Sequence, residues 1–72
     1  MELDLHHVKH EDVQQKLDSF LYKHMKKKTS SINVITGNSD EMKKIVTRVA
    51  NEHGLTVVQH MFNTGEVIID FV

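Results

Sequence analysis

Glu2-Leu3-Asp4-Leu5-His6-His7-Val8-Lys9-His10-Glu11-Asp12-Val13 contains the step on which the fold turns. From Glu2 to His6, apolar and polar residues alternate with period two, as in a half-buried strand. Leu3 and Leu5 then face a core, and Asp4 and His6 leave by the other side. From His10 the period lengthens, and Val13, Leu17, Phe20, Leu21 and Met25 fall on one helical stripe. Glu11 and Asp12 suit the positive start of that helix, and Lys26, Lys27 and Lys28 suit its negative end. Lys9 is a poor capping residue, but with Lys9 at the cap Val8 and Val13 stand where a hydrophobic staple forms.

Downstream, Thr29-Ser30-Ser31 is a polar connection, and Ile32 to Ile35 reads as a short buried strand stopped by Thr36-Gly37-Asn38-Ser39. A second helix carries Met42, Ile45, Val46, Val49 and His53 on one stripe. Asn38 with Glu41, or Ser39 alone, caps it, and Gly54 ends it. Leu55 to Phe62 and Glu66 to Val72 are β-rich runs joined by Asn63-Thr64-Gly65, a hairpin signal. The order β-α-β-α-β-β predicts one α+β domain over residues 1–72, a two-layer α/β sandwich. Its four-stranded mixed sheet carries two helices on one face, and its first two strands are parallel across a right-handed crossover.

Seventy-two residues without cysteine exclude disulfides and thiolate zinc sites, so the packed core carries the stability. No apolar run reaches the roughly 18 residues of a membrane span, and the acidic start is unlike a signal peptide. A cytoplasmic monomer is expected. Net charge is −1, so any nucleic-acid contact must use local basic patches around Lys23 to Lys28 and Lys43, Lys44 and Arg48. Such runs also serve as solvated helix ends. Tyr22 and Phe62 are a poor supply of base-stacking rings, which argues against sequence-specific readout.

Leu3-Asp4-Leu5-His6 before a helix, Ile35-Thr36-Gly37 opening a second helix, and the terminal hairpin resemble the Smr (small MutS-related) domain across essentially the whole chain. The family's marks are a Leu-Asp-Leu-His box and a Thr-Gly-x-Gly or His-Gly-x-Gly turn. Here His7 stands where a glycine usually follows the box, and Ser39 where the turn has its second glycine. The resemblance implies a fold similar to the C-terminal domain of bacterial translation initiation factor three. It also implies an endonuclease acting on RNA or DNA, including messenger RNA on stalled ribosomes.

Spacing along a strand puts Asp4 and His6 on one face about 6.5–7 Å apart, which leaves room for a phosphate or water between them. An imidazole titrating near neutrality moves protons in phosphodiester cleavage, with Asp4 to orient it; attack by a ribose 2′-hydroxyl needs no metal. Asp4 and His6 are the catalytic candidates, with RNA favoured over DNA. Thr36, Gly37, Asn38 and Ser39 form a strand-to-helix turn suited to a phosphate. His7, Lys43, Lys26, Lys27 and Lys28 are further phosphate-binding candidates, with His10, Lys44 and Arg48 behind them. His60 and Asp70 lie on the hairpin, and the alternation leaves the direction of His60 open. No metal-ligand spacing is present and no cofactor is expected. The alternatives are a non-catalytic module that binds nucleic acid or a ribosome, or a protein-interaction domain docking through its open sheet face.

Overall fold

β1 (Glu2–Asp4) runs parallel to β2 (Ser31–Ile35), with Leu3 opposite Val34, and α1 (His10–Met25) makes the return crossing between them. α2 (Asp40–Glu52) follows β2 and leads into the antiparallel hairpin of β3 (Thr56–Gln59) and β4 (Glu66–Asp70). The computed structural model describes residues 2–27, 29–59 and 62–71. The sheet order is β1-β2-β4-β3, so the last strand inserts between β2 and β3. The expected two-layer β-α-β-α-β-β sandwich is the observed architecture.

Alternation along the strands sends Ile32 and Val34 of β2 and Val67 and Ile69 of β4 into the layer between sheet and helices. They meet Val13, Leu17 and Leu21 of α1 and Met42, Val46 and Val49 of α2 in one buried cluster. Each such side chain contributes roughly 1.5–3 kcal/mol by leaving water. Lys9 occupies the first cap with no side-chain bond, and Val8 packs against the cluster that holds Val13. At the second helix Ser39 alone is the cap: its Oγ accepts from Met42 N–H at 3.1 Å. Gly54 ends that helix in the left-handed region (φ 76°), which a glycine adopts without steric cost.

Two expectations change, and one left open is decided. β1 ends at Asp4 rather than His6, because β2 has no further residue to pair with it. Leu5 N–H still reaches Ile35 O at 2.8 Å, but the chain then turns, with Val8 N–H bonded to Leu5 O at 3.0 Å. Met25 does not join the stripe of α1 and is 46% exposed; His24 takes the buried position at 4%. An i, i+4, i+7 series from Leu17 through Leu21 passes through position 24, and Met25 lies further round the helix. In the hairpin Val57 packs on the core and Val58 faces out. His60, Met61, Val72 and Lys28 lie outside the described residues.

Candidate functional site

The turn after β1 brings Asp4 and His6 together. With His6 outside the strand, its backbone N–H folds back onto Asp4 Oδ1 at 3.1 Å. Its ring Nδ1 bonds to the same carboxylate oxygen. The gap expected from extended strand spacing is therefore closed, and it leaves no room for a phosphate between these side chains. With Nδ1 turned to the carboxylate, the other ring nitrogen, Nε2, is the one left to exchange protons with a ligand. The hydrogen bonds from the His6 ring and then from its N–H hold the Asp4 carboxyl below its ordinary value of 3.8. Asp4 thus stays ionised through the neutral range. The His7 ring lies against that of His6, centroids 3.6 Å apart and tilted by 44°.

Parallel pairing of β1 and β2 puts the second candidate segment beside this pair. Gly37 has φ 67°, and a Cβ added there would lie 3.5 Å from the Cβ of His6. The glycine is thus required by its backbone conformation rather than by space. The carbonyl of Gly65 accepts from Thr36 N–H at 2.8 Å, from Gly37 N–H at 3.0 Å and from the Thr36 hydroxyl at 3.2 Å. Thr64 Oγ1 donates to Asn38 Oδ1 at 3.1 Å. The hairpin loop is therefore part of the site, which sequence reasoning missed. A glycine next to a predicted strand start was visible, but its neighbour across space depends on β4 pairing with β2. The same contacts change the expected phosphate cradle, because the N–H groups of Thr36 and Gly37 are already bonded. What remains for an anion is the first turn of α2 beyond them, where Asp40 and Glu41 also stand.

The basic candidates do not converge on this corner. Lys43 sits in the first turns of α2, its N–H bonded to Ser39 O at 3.1 Å, and is half-buried. Arg48 is held by Glu52 and by Gln14, each at 3.3 Å. Lys26 and Lys27 follow the far end of α1, about 24 Å along a 16-residue helix from the corner. Lys26 lies over the Tyr22 ring at 4.4 Å. His10 faces Glu41 at 3.8 Å, joining the starts of the two helices, and His53 Nε2 meets Asp18 Oδ1 at 2.9 Å further along them. Among the described residues no cluster of three or more His, Asp or Glu side chains is arranged to hold a metal ion.

The fold is a two-layer sandwich with the Asp4–His6 pair at the end of its first strand, set against a glycine turn. The family model of the Smr domain matches residues 3–66, and the chain belongs to that family. No curated protein and no solved structure gives a significant match. The family is one of nucleic-acid-binding and nuclease-type domains. Among the described residues no helix is long and apolar enough to cross a membrane.

Proposed function

We propose that this chain is an RNA-directed endonuclease of the Smr type in which Asp4 and His6 carry the chemistry. The observation that carries the reading is the doubly bonded Asp4–His6 pair. An ionised carboxylate fixes the ring and its tautomer, and leaves Nε2 as the proton acceptor. On RNA, Nε2 takes the proton of a 2′-hydroxyl as its oxygen bonds to phosphorus. The bond from phosphorus to the 5′-oxygen breaks, and that oxygen receives a proton, leaving a cyclic phosphate and a 5′-hydroxyl. Under this reading His7, next in the chain and ring against ring with His6, donates that second proton. The first turn of α2 holds the phosphate, with Asn38 and Ser39 at its mouth, and ribosome-bound messenger RNA is one substrate under this reading.

The decisive experiment is cleavage of structured and single-stranded RNA by purified wild type, Asp4→Asn and His6→Ala. Loss of cleavage in both variants with unchanged circular dichroism supports the reading; equal cleavage by all three sinks it. One observation favours a second reading, a module that binds nucleic acid without cutting it. Gly65 O occupies the Thr36 and Gly37 N–H groups, and Asp40 and Glu41 flank the anion position. Salt-sensitive RNA binding without cleavage by wild type would establish that reading instead.

A further inference from the structure

The face of the sheet away from the helices has a charge pattern unlike the rest of the molecule. Because Ile32, Val34, Val67 and Ile69 point inward, the alternate positions point out. Outward positions on β1 are Glu2 and Asp4, and β4 presents Glu66, Ile68 and Asp70. No outward position of the four described strands is a lysine or arginine. In the middle of these carboxylates lies an apolar strip. Ile68 is paired with Val58 on β3, and Ile35 on the neighbouring β2 extends the strip diagonally. Val58 is 46% exposed, and Ile35 and Ile68 are half-buried. The exposed cations among the described residues lie on the helices (Lys16, Lys23, Lys44 and Arg48) or beside the ends of α1 (Lys9, Lys26 and Lys27), none on a strand.

We infer that this sheet face docks a basic amphipathic helix of a partner protein. Away from the Asp4–His6 corner, Glu2, Glu66 and Asp70 select cations and turn phosphates away, so this part of the face suits neither a nucleic-acid backbone nor an anionic membrane. The strip runs from β2 across β4 to β3, two strand spacings or about 10 Å. That is the width of one helix with its side chains. An apolar stripe on the partner covers Ile35, Ile68 and Val58, while its flanking lysines or arginines meet Glu2 and Asp70. The inference does not depend on cleavage.

The test is an NMR titration of the whole chain with a synthetic helix bearing leucines on one face and lysines on its flanks. Shifts at Ile35, Val58 and Ile68 to Asp70, weakened about tenfold or more by Val58→Lys or Asp70→Lys, are expected. A control peptide with serine for leucine should bind far more weakly. Four results would overturn the inference. These are no binding, shifts confined to the helices, equal binding by the two variants, or equal binding by the serine control. Poly-uridine shifting the same amides would assign the face to RNA, and shifts on raising protein concentration alone would assign it to a second copy; either also rejects it.

Discussion

His6 and His24 are the same residue in opposite circumstances, at opposite ends of α1. His6 is exposed at the corner, with a carboxylate on one ring nitrogen and solvent before the other. His24 is buried at the end of α1 against Phe20, ring centroids 4.3 Å apart, and its Nδ1 has no hydrogen-bond partner among the described residues. Burial, and then the nearby Lys27 and Lys23, push its pKa below the ordinary 6.5. The end of the molecule at His24 disfavours a proton, whereas at His6 a carboxylate two residues away fixes the ring. The difference comes from the neighbours alone.

The comparison breaks most visibly at His6. Under the nuclease reading, His6→Ala should lower the cleavage rate by about 10²–10⁴-fold, the usual contribution of a general base, with little change in melting temperature. A stability loss as large as the activity loss would show that His6 is a packing residue like His24. At the corner, Gly37→Val forces a β-branched residue to positive φ and should cost about 1–2 kcal/mol or more in denaturant unfolding. It should also shift the His6 ring signals while leaving those of His24 in place.

At the other end, His24→Leu removes an unsatisfied buried nitrogen and should stabilise the fold by about 1 kcal/mol near neutral pH. The gain should grow in acid. The folded state binds the His24 proton less readily than the unfolded chain, so wild-type stability falls as pH drops below about 6.5 and is unaffected above it. Urea midpoints from pH 8 to 5 would check this, and a wild-type slope equal to that of the variant would remove His24 as its source. The smallest effect expected is that of Ser39→Ala, which loses the cap bond to Met42 N–H and costs about 1 kcal/mol without altering the Asp4–His6 contact.

Much of this was legible before any coordinates. The change of period after His6, the stripe from Val13 to Leu21 and the hairpin around Gly65 follow from local rules of burial and turn chemistry. Those rules set the element order and its layers. The Leu-Asp-Leu-His box was likewise visible, and so was its place beside Thr36-Gly37 once the first two strands were taken as parallel. His24 was harder, because a histidine among lysines reads as surface until the helix is seen to turn it inward.

The sequence by itself determined the elements, their order, most of the inward residues of the helices and the candidate pair Asp4 and His6, since each depends on neighbours within a few positions. Only the tertiary structure decided how those residues meet. With no partner beyond Ile35, β1 stops at Asp4, and the following turn joins His6 to Asp4 instead of holding them apart. Insertion of β4 beside β2 delivers the Gly65 carbonyl to the N–H groups that a phosphate was expected to take. Both outcomes turn on which strand pairs with which, and that is set by contacts between residues about thirty positions apart, beyond the reach of local pattern.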